Sequence, residues 1–371
     1  MNVLVLNYRD RMHPESGGAE KHLHSIFSRI VKLGHSVVLL TTHFKGAKHF
    51  EIIDGIQVVR YGSDLFFQWN CFKLIKKLDQ QYNFDVIYED LNKLPLFSPL
   101  YTKKPHLIQI HHLWKSSIFL EAKFPVAFVV WFFERLIPLF YRKSPFLVVS
   151  PSTQKELEAL GIAPKNIHLV YNGANGIPQN FEFPAQKENY FLWLSRLHRY
   201  KGIHTALEAF QIFSKKHPKV KLRIAGSGPL LSKMPTIIQK YGLSDKVSLE
   251  GFVSKEKKAS LFANAIGLLQ TSYKEGWGLT VIEAAEYKTA TIASAVPGLQ
   301  DSVIDQKTGL LFPMKNAKLC AEAMEVFYTN PKFRVQLENN AQKHAASFTW
   351  DKAAKETLKH LESLLIEPLN S

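Results

Sequence analysis

Apolar residues along this chain fall into short runs with two rhythms. In the first half, "NVLVLNY", "HSVVLLTT", "GIQVVRYG", "DVIYED", "HLIQIHH" and "FLVVSPS" are compact, β-rich runs and predict strands. Between the first two lies "GAEKHLHSIFSRIVKLG", in which Leu23, Ile26, Phe27, Ile30 and Val31 share one helical face before Gly34 ends the helix. The second half repeats the scheme. "YFLWLSRL", "VKLRIAGSGP", "VSLEGFV", "AIGLLQTS" and "ATIASAV" read as strands, and "GIHTALEAFQIFSKKHP" as a helix with its stop. Apolar strands alternating with helices imply parallel sheets covered on both faces. The Gly-, Asn- and Pro-rich stretch 172–190 has no period and marks a linker. The expected architecture is α/β, with two doubly wound, Rossmann-like parallel-sheet domains, 1–172 and 173–349, facing a cleft. In such sheets ligands bind outside the carboxyl ends of the strands.

Length and charge sharpen this picture. At 371 residues the chain suits two domains. Its net charge of +15 favours anionic partners. The excess is spread evenly, +7 over residues 1–175 and +8 over the rest, so no basic arm of nucleic-acid type stands out. Phosphorylated small molecules and anionic headgroups remain. The two cysteines, Cys71 and Cys320, are far apart and offer neither a disulfide framework nor a thiolate metal site, which fits a reducing compartment. The N-terminus lacks the features of a signal peptide, and the expected location is cytoplasmic. The aromatic segment "FPVAFVVWFFERLIPLFYRK", 124–143, is too interrupted by Glu134, Arg135 and Pro138 to span a bilayer. A membrane-surface helix and a core helix at a domain edge both fit it.

Several clusters carry candidate chemistry. "KEGWGLTVIEAA" puts Gly276, Trp277, Gly278 and Leu279 between the end of a strand and the start of a helix, where free N–H groups and the helix dipole favour phosphate or a sugar hydroxyl. Glu275 precedes this turn and Glu283 lies about one turn into the helix, so each could bind hydroxyls at a different part of one elongated ligand. Alone, either glutamate would ordinarily be a solvated carboxylate; the combined pattern is far more specific. In "WLSRLHRYKG", Arg196 and Lys201 follow a strand and precede a helix, well placed to grip a diphosphate. Gly17 and Gly18 open a helix in "PESGGAEKHL", and "AGSGP" at 225–229 lacks the third glycine of a dinucleotide fingerprint; both are weak signals compatible with plain turns. His111 and His112 end a strand and point to opposite faces if it continues, which disfavours a shared metal. Either could face the cleft. His22 and His24 read as a solvated helix face, and Glu89 and Asp90 as a carboxylate pair that diverges in direction.

Taken together, these residues resemble the retaining glycosyltransferases of family 4, which have the two-domain GT-B fold. "EGWGLTVIE" is similar to that family's paired-glutamate signature, "SRLHRYKG" to its Arg and Lys diphosphate clamp, "SGGAEKH" to its N-terminal glycine loop and "VYNGAN" to its interdomain segment. "AGSGP", "LEGFVS" and "VPGLQDSVIDQKTGLLF" follow in the family's order. The resemblance implies that Arg196 and Lys201 hold the diphosphate of a nucleotide sugar, UDP- or GDP-linked. Glu275 would bind the transferred sugar with backbone help from residues 276–279, and Glu283 the ribose. Phe252 and Val253 would lie near the base, and Gly17 and Gly18 near donor phosphates or acceptor. The family's cleft histidine aligns with His111, with His112 a rival. No metal or other cofactor is implied. The helix at 350–366 would return to the first domain. The implied activity is transfer of a hexose, with retention, to a glycan or lipid-linked acceptor. A lipid-linked acceptor is natural if 124–142 touches a membrane surface, placing the protein peripherally at the inner face. A GT-B sugar-nucleotide epimerase and a non-catalytic interaction protein are the alternatives.

Overall fold

The computed structural model describes residues 1–91 and 94–366. The chain divides into two compact units. One comprises residues 1–118, 123–173 and the C-terminal segment from Trp350; the other comprises 119–122 and 174–349.

In the first unit, strands β1 (Asn2–Leu6), β2 (Ser36–Thr41), β3 (Phe50–Ile53), β4 (Ile56–Arg60), β5 (Val86–Asp90), β6 (His106–Ile110), β7 (Phe146–Val148) and β8 (Ile167–Leu169) form one sheet in the order β3-β4-β2-β1-β5-β6-β7-β8. Every pairing is parallel except β3 with β4. The helices are α1 (Gly18–Lys32), α2 (Phe67–Tyr82), α3 (Phe124–Arg135), α4 (Ile137–Phe140) and α5 (Pro151–Leu160). Alternation along the central strands decides which helix covers which face. Leu4, Leu6 and Ile87 pack with Phe67, Cys71 and Ile75 of α2, whereas Ile108 and Ile110 pack with Ile137 and Tyr141 from the α4 region. On the opposite face α1 buries Leu23, Ile26, Phe27 and Ile30.

The second unit continues with β9 (Tyr190–Leu194), α6 (Ile203–Ser214), β10 (Lys221–Ala225), α7 (Met234–Lys240), β11 (Val247–Gly251), α8 (Lys255–Asn264) and β12 (Gly267–Gln270). It ends with α9 (Leu279–Glu286), β13 (Thr291–Ser294), α10 (Leu299–Ser302), β14 (Gly309–Phe312), α11 (Ala317–Thr329) and α12 (Pro331–Ala345). Its sheet runs β11-β10-β9-β12-β13-β14, parallel throughout. Phe191 and Trp193 anchor a core with Phe210 and Phe213 of α6 and Phe327 of α11. The last helix, α13 (Trp350–Ile366), belongs to the first unit, where Asp351 accepts from Arg29 Nε of α1 at 2.5 Å.

Each sheet has a strand at which the order reverses: β1, between β2 and β5, and β9, between β10 and β12. The crevice beyond the carboxyl ends of those strands is where an open α/β sheet receives a ligand.

Candidate active site

The reversal point of the second sheet gathers the predicted residues. Arg196 and Lys201 follow β9, and Glu275 follows β12, the strand next to it. Lys201 Nζ lies 2.5 Å from Glu275 Oε1, which also accepts from Ser272 Oγ at 2.8 Å and Gln270 Nε2 at 3.5 Å. Burial alone would lower the Lys201 pKa. Glu275 and Tyr200 outweigh that effect, so its ammonium sits above the ordinary lysine range despite the nearby Arg196. Lys201 is thus a cation at neutral pH, held by a single carboxylate. Arg196 Nη2 donates to the Tyr200 hydroxyl at 2.9 Å, and Lys201 Nζ stands 4.9 Å from the Tyr200 ring centroid. Tyr200 thereby braces both cations.

Two glycines make this approach possible. Gly202 has φ +69°, and a Cβ there would fall 2.0 Å from the Thr271 carbonyl oxygen, so the Lys201 turn can lie against the β12 exit only without a side chain. Gly298, with φ +82°, does the same for the other wall: its Cβ would fall 2.5 Å from the Glu275 carbonyl oxygen. Glu121, from the 119–122 stretch, accepts from the Tyr200 backbone N–H at 2.6 Å and pairs with His198 Nδ1 at 3.1 Å.

The rest of the signature is laid out along the same edge. Gly276 and Trp277 lie in the loop, with Gly278 as the left-handed N-cap of α9 and Leu279 its first residue. Trp277 is buried, its ring 5.0 Å from that of Phe348. Glu283 lies one turn inside α9, as its spacing predicts, and its Oε1 accepts from Lys258 of α8 at 3.0 Å. Just before α8, Phe252 is 85% exposed while Val253 packs against the sheet.

The first unit holds a second polar cluster at its own reversal point. His111 Nε2 lies 3.1 Å and 3.3 Å from the two oxygens of Asp90. Its ring meets that of His22 edge-on at 4.7 Å. His22 is fully buried, with Nδ1 2.5 Å from Asn172 Oδ1 and Nε2 3.4 Å from the Tyr88 hydroxyl. Burial, and then the neighbouring His111, push the His22 pKa well down, so it is neutral. The expectation of a solvated face for His22 and His24 is therefore corrected: both are buried. His22 lies four residues before Ile26 and eight before Ile30, on the stripe that packs onto the sheet. His112 turns away from this cluster, its ring edge-on to Trp114 at 4.9 Å. Glu89 and Asp90 point to opposite faces. Glu89 is raised by burial against hydrogen bonds from Ser98, Tyr141 and the Leu96 backbone, which lower it. At the start of α1, Gly17 is the N-cap and Gly18 the first helical residue; the Gly17 N–H donates to Glu20 Oε2 at 2.7 Å, so that donor is already used. In the sequence Asp90 stands only as half of a diverging carboxylate pair and Asn172 only within the interdomain segment, neither as a partner of these histidines. Alternation in "DVIYED" does place Tyr88 and Asp90 on one face, but nothing local pairs His22 with Asn172, 150 positions away.

Segment 124–142 is two helices, α3 and α4, and α3 is inside out. Its buried residues are Ala127 and Glu134, and Glu134 accepts from the backbone N–H groups of Trp114 and Lys115 at 2.5 Å and 2.8 Å. Phe124, Val126, Phe128, Val129 and Phe132 are exposed. Among the described residues no helix is long and apolar enough to cross a membrane, and no three potential metal ligands come together.

Residues 16–175 match the family model Glycosyltransferase Family 4, and residues 178–344 match that of Glycosyl transferases group 1. These matches and the two parallel-sheet units make the chain a GT4-type glycosyltransferase of the GT-B fold. Mannosylfructose-phosphate synthase of Agrobacterium fabrum is 24% identical over 96% of this chain and 88% of its own. Several other curated relatives are matched over about half their length or less. Among solved structures, sucrose-phosphate synthase from Thermosynechococcus elongatus superposes with TM-score 0.83 at 21% identity, covering 98% of this chain and 99% of that one. HepE of Anabaena, solved with UDP and glucose, superposes with TM-score 0.78 at 17% identity over 98% and 100%.

Proposed function

We propose that this glycosyltransferase moves a hexose from a UDP- or GDP-linked donor to a glycan or lipid-linked acceptor, with retention of the anomeric configuration. The observation that carries the reading is the ion pair of buried Lys201 with the partly buried Glu275, beside Arg196 at the reversal point of the second sheet. A diphosphate offered to that turn would meet two cations, one of them held by a single carboxylate that the ligand's oxygens can replace. The similarity to a fold solved with UDP and glucose supports a nucleotide-sugar donor.

In this reading the acceptor hydroxyl attacks the anomeric carbon on the face the diphosphate leaves. The new glycosidic C–O bond forms as the bond from carbon to phosphate oxygen breaks, and the electron pair departs with the diphosphate. The acceptor's proton passes to the departing phosphate oxygen. Arg196 and Lys201 stabilise the charge that grows there, a contribution of about 3 kcal/mol for each well-aimed donor. Three donors converge on Glu275 Oε1, so Oε2 is the oxygen offered to a sugar hydroxyl. Leu279 and the backbone of Gly276–Gly278 assist at the start of α9; Glu283 takes the ribose, and Phe252 with Val253 lies by the base. No metal is assigned a role. Within the first unit, the Gly17–Gly18 turn and His111, oriented by Asp90, are assigned to the acceptor. The outward aromatic face of α3 favours an acceptor presented at a lipid surface, with the protein peripheral at the cytoplasmic side.

The test is Glu275→Ala. It should reduce turnover at least ~100-fold while changing UDP or GDP affinity by less than a few-fold, because the carboxylate addresses the sugar rather than the diphosphate. Equal losses in both would remove Glu275 from sugar recognition.

A further inference from the structure

Helix α2 carries a second outward aromatic surface that the proposed function does not use. Its inward stripe, Phe67, Cys71, Ile75 and Leu78, is buried against the sheet, as an ordinary amphipathic helix requires. Its outward side is not the usual polar one. Trp69 is 60% exposed and Phe72 53%, their rings stacked 5.8 Å apart, and Phe66 just before the helix is exposed as well. Lys73, Lys76 and Lys77 are exposed along the same helix, with Lys73 Nζ 5.1 Å from the Trp69 ring centroid. Its one acidic residue, Asp79, is engaged by Lys104 at 3.2 Å. Large aromatic rings interleaved with lysines suit the boundary between headgroups and acyl chains, where a ring can bury its body and an ammonium can stay in water.

This surface adjoins α3. Both α2 and the α3–α4 segment cover the face of the first sheet that bears Leu6, Ile87 and Ile108. The stretch between β5 and β6 bridges them: Tyr101 meets Phe72 edge-on at 5.6 Å, and Phe97 stands 5.8 Å from Phe133 and 5.0 Å from Phe140. Leu100, in the bridge, is 61% exposed. We infer that the outward faces of α2 and α3 form one docking platform for a bilayer rich in anionic headgroups, with α3 supplying insertion and α2 supplying both Trp69 and the cationic contacts. Charge decides the occupant: the lysines on α2 lack an equal set of acidic neighbours on their own helix, and an anionic leaflet attracts such a cluster. The inference rests on the α3 reading above and extends it to a second element.

Flotation with vesicles of phosphatidylcholine containing phosphatidylglycerol tests it. Wild-type protein should bind these vesicles at least ~10-fold more tightly than pure phosphatidylcholine vesicles, and added salt should narrow the gap. Trp69→Ser with Phe72→Ser should lower partitioning at least ~10-fold. Lys73→Glu with Lys76→Glu, which leaves every aromatic in place, should abolish the preference for anionic lipid. Neither pair should change UDP or GDP affinity by calorimetry, which shows that the fold and the donor site are intact. If wild-type protein ignores both vesicle types, the α3 reading fails together with this one. If wild-type protein binds but the α2 variants bind equally well, the platform alone is refuted. Concentration-dependent dimerisation abolished by the α2 variants, without vesicle binding, would also refute it, by showing that a second copy covers the face.

Discussion

Gly298 lies 23 positions beyond Glu275 in the sequence, yet it sets where that residue's backbone can lie. It is the N-cap of α10 at φ +82° and ψ −44°. An alanine Cβ there would stand 2.5 Å from the Glu275 carbonyl oxygen, 2.8 Å from its carbonyl carbon and 2.7 Å from that of Gly276. All three are backbone atoms, so no side chain can rotate away. An ordinary carbon-to-oxygen contact needs roughly 3.3 Å, and the Glu275–Gly276 loop must therefore retreat by about 0.8 Å. Displacements of about 1 Å in a positioning group cost on the order of 100-fold in rate. The dihedral angles add about 1–3 kcal/mol of strain. Gly242 supplies the control: it has φ +66° but nothing within 4 Å of its Cβ. Gly242→Ala should cost only about 1 kcal/mol of stability and leave turnover within about twofold. Gly298→Ala should lower kcat/KM for sugar transfer by about 30–100-fold, by way of the sugar rather than the nucleotide. The assay is steady-state turnover of the donor beside a thermal melt of each variant. If the two variants have the same kcat/KM, the carbonyl of Glu275 is not held by this contact and the reasoning fails.

Other expectations follow from buried charge. His24 and His106 are buried, and burial foremost pushes each pKa from 6.5 down to about 4. Their folded-state values lie below the unfolded ones, so protonation favours unfolding. The stability they permit is intact above pH 6.5 and falls as the pH drops toward 4, by up to about 3 kcal/mol for each. Chemical denaturation between pH 7 and 4 should show this slope, and His24→Gln should reduce it; an unchanged slope would exclude His24 as a contributor. Arg60 and Asp10 are buried together, with Nε donating to Asp10 Oδ2 at 2.6 Å and Nη2 to Oδ1 at 3.1 Å. Asp10→Ala should destabilise the first unit by about 3–5 kcal/mol, since the guanidinium is left with Glu51 alone as carboxylate partner. A loss below about 1 kcal/mol would mean that water reaches Arg60.

Much of this architecture was legible because both sheets are covered on both faces, so their central strands appear as unbroken apolar runs. β3 escaped notice for the opposite reason: "FEII" is a short, exposed edge strand paired antiparallel to β4. β8 is three residues long and carries His168 at its centre. The turns after β9 and β12 could be placed from sequence because glycine and charge coincide at strand ends. That Lys201 and Glu275 face each other could not, since the contact depends on β9 and β12 being neighbours, which strand order alone decides. The His22–Asn172 contact was hidden by distance along the chain, and the burial of His22 by the assumption that a polar residue on an amphipathic helix faces water. The outward orientation of α3 is open in the sequence between a surface and a core helix, because an apolar helix reads the same either way, and only the inward-facing Glu134 decides it.

The most direct test of the central claim is calorimetric titration of UDP, GDP and the corresponding nucleosides into wild-type protein and into Arg196→Met and Lys201→Met. One diphosphate should bind, and each substitution should weaken it at least ~10-fold while leaving the weak binding of the nucleoside unchanged. Diphosphate affinity that survives both substitutions would contradict the assignment of these cations as its clamp.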